Sequence, residues 1–297
     1  MSARHGLSRR AVIAGGLGLA LGYALTARAK AGSGFTLHAP DGRAIAVSEW
    51  VPSGRAKGVI LFSHGAASSP RFYEAIFTAW TQAGYRILAP LHVDSLEHPD
   101  TARFAGLASW KARLEDMRAL SAHLGRQRRI AAGHSYGGLV ALTLGGAQAI
   151  PPQGMGGALA DPNVSAVIAF SPPAPIPVLM TEQGYGGVSV PAFIQTGTAD
   201  IVPGMTGDDG WAGHLVPYKA AAPGGHRYAL ILEGVDHYFG GAICRYDRPG
   251  PKQTERLAEA NRMSTLFLDA FGRGEKRARD RLDALASDAL PVRLLRK

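Results

Sequence analysis

The sequence predicts an α/β protein: one domain built on a mostly parallel sheet with helices on both faces. Three observations predict it. From about residue 30 onward, short apolar runs of strand length alternate with segments whose apolar residues recur every three or four positions. The clearest run, Gly58-Val59-Ile60-Leu61-Phe62, is apolar without alternation, as expected of a strand covered on both faces. The chain also has 297 residues, 46% of them hydrophobic, which suffices to bury a core and excludes intrinsic disorder. Its 38 glycines follow no collagen-like period and point to many tight turns, and no internal repeat is present.

Taken in order, residues 35–37 and 44–51 read as two strands separated by the turn Pro40-Asp41-Gly42. Residues 58–62 are the first buried strand. Residues 72–83 read as a helix, with Phe72, Ile76 and Trp80 on one face and Gly84 as the stop. Residues 86–90 form the next strand. Residues 110–124 read as a helix through Trp110, Leu114, Met117, Leu120 and Leu124, with Gly125 as its cap. A strand at 129–132 ends on Gly133, and 139–149 reads as helix. Strands are expected at 164–170, 192–195 and 228–232, a helix at 253–271, and a helical tail over 273–297.

Residues 1–29 have the make-up of an export signal. Arg9-Arg10 precedes an uncharged, mostly apolar run, Ala11 to Ala27, of 17 residues, short of the roughly 20 that span a bilayer. Ala27-Arg28-Ala29 places small residues at the −3 and −1 positions of a cleavage site. Ser8-Arg9-Arg10 resembles the bacterial twin-arginine signal, although Ala-Val-Ile-Ala follows where Phe and Lys are usual. The expected location is periplasmic or secreted, with membrane contact only through this segment if it is not cleaved. The mature domain is expected over 30–272. The formal charge of +9 falls to +5 once the signal's four arginines are set aside. The densest basic run left, Lys276-Arg277-Ala278-Arg279-Asp280-Arg281, is broken by an acid, so a solvated helix face is the better reading and no nucleic-acid partner is expected.

Ligands of such sheets sit at the carboxyl ends of the strands. There the strongest signal is Gly133-His134-Ser135-Tyr136-Gly137-Gly138, a Gly-x-Ser-x-Gly pattern with a strand before it and a helix after it. A strand-to-helix turn that sharp strains the serine backbone and leaves no room for side chains two residues either side. The serine hydroxyl then stands clear of the sheet edge.

With that elbow the chain resembles an α/β-hydrolase over about residues 35–272. More narrowly it is similar to the predicted dienelactone-hydrolase and platelet-activating-factor-acetylhydrolase-like serine esterases. Phe62-Ser63-His64-Gly65, Gly197-Thr198-Ala199-Asp200 and Val235-Asp236-His237-Tyr238-Phe239 carry the likeness with the elbow, in the order serine, acid, histidine. Two departures stand out: dienelactone hydrolases carry a cysteine where Ser135 stands, and Leu91-His92-Val93-Asp94 replaces the group's frequent Asp-His-Pro-Gly. The resemblance implies that His64 is a packing residue.

A serine needs a base to take its proton. Of the ten histidines, His237 follows the last expected sheet strand at the carboxyl edge; His134 must point away from the nucleophile, and His92, His98, His123, His214 and His226 fall on connections or a helix. Asp200, three residues beyond Gly197, is the expected orienting acid, with Asp208, Asp209 and Asp236 as rivals. The oxyanion donors are expected to be the backbone N–H groups of Tyr136 and Ala66. Ser68 and Ser69 are expected to cap the following helix. The implied function is hydrolysis of small carboxylic esters through an acyl-enzyme. The alternatives are a lactonase or acyltransferase on the same residues, or a non-catalytic ligand-binding protein.

The connection at 171–191 is too short for a large cap, and Met205, Trp211, Tyr136, Tyr238 and Phe239 are candidates to wall a shallow, partly open cleft that prefers short acyl groups. No cofactor and no metal is expected: His-Glu-x-x-His, Gly-x-Gly-x-x-Gly and a phosphate loop are all missing from the sequence. The one cysteine, Cys244, excludes a disulfide framework and reads as a buried structural thiol.

Overall fold

The computed structural model describes residues 31–104, 106–224 and 226–297. The expected export signal lies outside these residues. Among the described residues nine strands form one sheet: β1 (Ala31–His38), β2 (Ala44–Trp50), β3 (Gly58–Ser63), β4 (Tyr85–Pro90), β5 (Arg129–His134), β6 (Val164–Phe170), β7 (Ala192–Gly197), β8 (Arg227–Leu232) and β9 (Val292–Arg296). Their spatial order is β1-β2-β4-β3-β5-β6-β7-β8-β9. Strands β4, β3, β5, β6, β7 and β8 run parallel, and the edges are antiparallel.

Helices α1 (Glu74–Gln82), α2 (Trp110–Leu124), α3 (Tyr136–Leu144), α4 (Glu182–Tyr185), α5 (Val216–Ala220), α6 (Thr254–Phe267) and α7 (Lys276–Ala284) complete the architecture. The continuous apolar strands still sort by the period of two, because successive side chains leave a strand on opposite faces. Ile60 and Phe62 of β3 and Ile168 and Phe170 of β6 point to one core, shared with Phe77 and Trp80 of α1 and Met263 and Phe267 of α6. Val59, Leu61, Val167 and Ala169 point to the other, with Met117 and Leu120 of α2 and Leu139 and Leu142 of α3. Both faces of the sheet are therefore dry.

Several boundaries differ from expectation, each for a local reason. The helix expected over 139–149 starts at Tyr136, directly after the serine, and stops at Leu144, before Gly145-Gly146. The segment before α1 is a tight turn, Pro70–Tyr73, because Pro70 sets its first position. Ser69 makes no capping bond, and the Ser68 hydroxyl donates instead to the Cys244 carbonyl at 3.1 Å. The tail expected to be helical is helical only over α7. It then returns as β9, which pairs antiparallel with β8 and sets Leu294 in the core. The connection at 171–191 carries only the one-turn α4. Cys244 is buried and free, and burial pushes its thiol up.

Candidate active site

Ser135 stands between β5 and α3 with φ 57° and ψ −122°, a conformation costing on the order of 1–3 kcal/mol for a residue with a side chain. It is held there by both neighbours. Its N–H donates to the Phe170 carbonyl at 2.8 Å, and its own carbonyl accepts from Gly138 N at 2.8 Å, starting the helix. The flanking glycines are required by close backbone contact. A Cβ at Gly133 would lie 2.1 Å from the Gly137 carbonyl oxygen, and one at Gly137 would lie 1.9 Å from the Ser63 carbonyl oxygen.

The ends of β7 and β8 are drawn together by another glycine. At Gly197 a Cβ would stand 2.2 Å from the Val235 carbonyl oxygen, which itself accepts from Ala199 N at 3.0 Å. That approach brings Asp200 beside His237. The His237 Nδ1–H donates to Asp200 Oδ1 at 2.7 Å, which leaves Nε2 as the basic nitrogen. Asp200 Oδ2 accepts from Thr196 Oγ1 at 2.9 Å and from Ser171 Oγ at 2.5 Å. Asp200 is fully buried. Burial alone would raise its carboxyl, but the imidazoles of His214 and His237 beside it more than reverse this and hold it well below the usual carboxylate range. The rivals for this role are elsewhere: Asp208 and Asp209 are exposed, and Asp236 Oδ1 accepts from Tyr238 N and Gly240 N in its own turn.

Sequence reasoning placed His214 on a connection and missed it. Its Nε2 lies 2.9 Å from Asp200 Oδ1, and its Nδ1 lies 2.6 Å from the Pro172 carbonyl oxygen. Asp200, His214 and His237 form a compact set of the kind that can ligate metals. The nitrogen–oxygen separations are only 2.7 Å from His237, a hydrogen bond, and 2.9 Å from His214, however. Donors around a tetrahedral zinc stand roughly 3.3 Å apart, given metal–ligand lengths near 2.0–2.1 Å. The set fits a carboxylate clasped by two imidazoles better than an ion's cage.

Beneath His237 lies His134, with ring centroids 4.7 Å apart. Gly65 N–H donates to the Tyr73 hydroxyl at 2.9 Å, that hydroxyl donates to His134 Nδ1 at 2.9 Å, and His134 Nε2–H donates to the His237 carbonyl at 2.9 Å. The chain ties the loop after β3, the elbow and the base loop together. In the loop after β3, the N–H groups of Gly65, Ala67 and Ser68 have partners in Tyr73, Asp94 and the Gly65 carbonyl. Among the described residues the Ala66 N–H has none. Tyr136 is the first residue of α3, where a helix leaves its N–H without an intrahelical partner. The Ser135 hydroxyl is 3.7 Å from Met205 Sδ, so the loop after β7 lies over the nucleophile.

A second serine–histidine–aspartate set is present. Ser63 Oγ lies 2.8 Å from His92 Nε2, and His92 Nδ1 lies 2.7 Å from Asp116 Oδ2. All three are sealed at 0% exposure, beyond the reach of any substrate, so the set is a packing device. Burial holds His92 well below its ordinary value and pushes Asp116 up to about 7 despite Arg43 beside it.

The profile of the alpha/beta hydrolase family matches residues 60–288. No curated protein sequence gives a significant match. Among solved structures, esterase 2 of Thermogutta terrifontis, determined as its tabun adduct, is 14% identical with a TM-score of 0.59, covering 81% of this chain and 95% of that one. A dienelactone hydrolase from Anabaena variabilis is 14% identical with a TM-score of 0.58, covering 82% of this chain and 99% of that one. An alpha-beta serine hydrolase homologue from Coxiella burnetii is 14% identical with a TM-score of 0.53, covering 78% and 96%. At these identities the likeness is one of fold.

Proposed function

This chain belongs to the alpha/beta hydrolase family, and we propose that it is a serine hydrolase of carboxylic esters, with Ser135, His237 and Asp200 as its triad and the N–H groups of Ala66 and Tyr136 as its oxyanion donors. The observation that carries this reading is the 2.7 Å hydrogen bond from His237 to a buried Asp200, at the sheet edge where the strained elbow presents Ser135. Ser135 Oγ attacks the ester carbonyl carbon while its proton passes to His237 Nε2. The tetrahedral oxyanion collapses, the alkoxide leaves with that proton, and the acyl group remains on Ser135. Water repeats the sequence and releases the acid. The carboxylate of Asp200 holds the imidazole in the tautomer this requires and stabilises its cation.

The substrate we propose is a small ester with a short acyl group. The connection at 171–191 offers only one helical turn, and Met205 Sδ stands 3.7 Å from the nucleophile's hydroxyl. A buried methylene gains about 0.8 kcal/mol, so kcat/KM rises with chain length only as far as the pocket covers the chain. Acetyl to butyryl aryl esters should be hydrolysed with higher kcat/KM than octanoyl or palmitoyl ones. A steady rise to palmitoyl would overturn the short-acyl reading, and turnover of no ester at all would overturn the function. We also propose export by the twin-arginine route. Replacing Arg9-Arg10 by two lysines should retain the protein in the cytoplasm, and unchanged export would point to another route.

A further inference from the structure

Arg113 is the most completely engaged cation of the site region, and the mechanism above makes no use of it. It rises from the first turn of α2 and is fully buried. Its Nε donates to Asp94 Oδ1 and its Nη2 to Asp94 Oδ2, both at 2.8 Å, a two-pronged pair. Nη2 also reaches the Gly65 carbonyl at 3.1 Å, and Nη1 donates to the His64 carbonyl at 2.7 Å and to Ser63 Oγ at 3.3 Å. Its Cζ stands 4.7 Å from the centre of the Tyr136 ring, against which Trp110 of the same helix also stacks at 5.8 Å.

A trans peptide is planar, with its C=O and N–H pointing in opposite directions. The Gly65 carbonyl shares its plane with the Ala66 N–H. That carbonyl is held by Arg113 and by the His64 ring, whose Nδ1 is 2.8 Å from it. The planes on either side are fixed as well: Gly65 N–H goes to Tyr73, and Ala67 N–H goes to Asp94 at 3.4 Å. Ala67 adopts φ 54°, so this stretch of backbone does not hold itself in shape. Once its neighbours are tied back, the Ala66 N–H has one direction open to it.

Resting on the triad reading above, we propose that Arg113, anchored by Asp94, is a positioning residue that sets both oxyanion donors at once, Ala66 through the Gly65 carbonyl and Tyr136 through its ring. Burial would raise the Asp94 carboxyl, but Arg113 more than offsets it and holds it at about 2, so the anchor stays ionised in the working range. A lysine cannot replace this arginine, because one ammonium cannot span two carbonyls and a carboxylate in a plane.

The test is Arg113→Lys, assayed with a short aryl ester and with a trifluoromethyl ketone, which binds a serine hydrolase as a charged tetrahedral adduct. The expected result is a kcat lower by about 10- to 100-fold, KM within about twofold, and ketone affinity reduced by the same factor as kcat, since losing a full donor removes about 100- to 1000-fold. A folded Arg113→Lys protein with kcat and ketone affinity within about twofold of wild type would overturn the proposal. If that variant lacks a cooperative thermal transition, Asp94→Asn decides instead: it keeps the guanidinium but loosens its anchor, and the same paired loss is expected. Parallel loss of KM, or of stability alone, would also count against it. Failure of the triad reading is seen separately, as a wild-type protein that neither turns over the ester nor binds the ketone.

Discussion

Ser135→Ala is expected to lower kcat/KM for a short aryl ester by on the order of 10,000-fold or more, and to abolish labelling by a fluorophosphonate. The alanine removes the atom that forms the acyl bond and leaves its surroundings intact: the backbone bonds of residue 135 to Phe170 and Gly138 involve no side-chain atom. The variant should therefore fold with nearly unchanged stability. His237→Ala should lose a similar factor, and the double variant should be little worse than either, because a nucleophile without its base and a base without its nucleophile are equally idle. Asp200→Asn should cost about 10,000-fold by presenting His237 in the wrong tautomer. It should also destabilise the protein, since Asp200 accepts bonds from Ser171 and Thr196 and faces His214 as well. Turnover near the wild-type rate in folded Ser135→Ala, or a fluorophosphonate adduct mapped to another residue, would remove the triad reading.

What was legible in the sequence follows from how local the cause is. The strands at Val164–Phe170 and the helix at Trp110–Leu124 were readable to the residue because apolar pattern and flanking glycine or proline agree there. The elbow was readable because its glycines and serine sit together in one short stretch between a strand and a helix, although the backbone that Gly137 must clear is that of Ser63. The start of α3 was not, because Gly137 and Gly138 are poor helix formers kept for clearance, and so hide the helix they open. Strand β9 was not, because its two arginines, Arg293 and Arg296, continue the charged pattern of α7, while its reason for being a strand is the open edge of β8. His214 and Arg113 were missed for a deeper reason. Neither carries a periodic signal of its own, and each acquires its role from partners far along the chain: Asp200 and Pro172 for His214, Asp94 and residues 63–65 for Arg113. Buried polar groups are satisfied by the tertiary structure, and a one-dimensional pattern does not record their partners.

Gly137→Ala is expected to be strongly damaging for a single added methyl. A Cβ there would lie 1.9 Å from the Ser63 carbonyl oxygen, 2.4 Å from the Ser63 carbonyl carbon and 2.7 Å from the His64 carbonyl oxygen. All three are backbone atoms, so no rotamer change relieves the overlap. Either α3 or the end of β3 must move by more than an ångström. Both are locked: Ser63 pairs with Gly133 in the sheet, and the His64 carbonyl accepts from the buried Arg113. Overpacking usually costs about 1–3 kcal/mol when side chains can yield, and here none can, so the loss should reach at least the upper end of that range. Activity should fall further than stability, because the displaced atoms lead into the Ala66 loop on one side and follow Ser135 on the other. The control is Gly156→Ala, where a Cβ meets nothing within 4 Å and the change should stay within about 0.5 kcal/mol. Chemical denaturation of both variants decides it: a Gly137→Ala midpoint equal to that of Gly156→Ala would mean that the elbow and the end of β3 are not in backbone contact in solution.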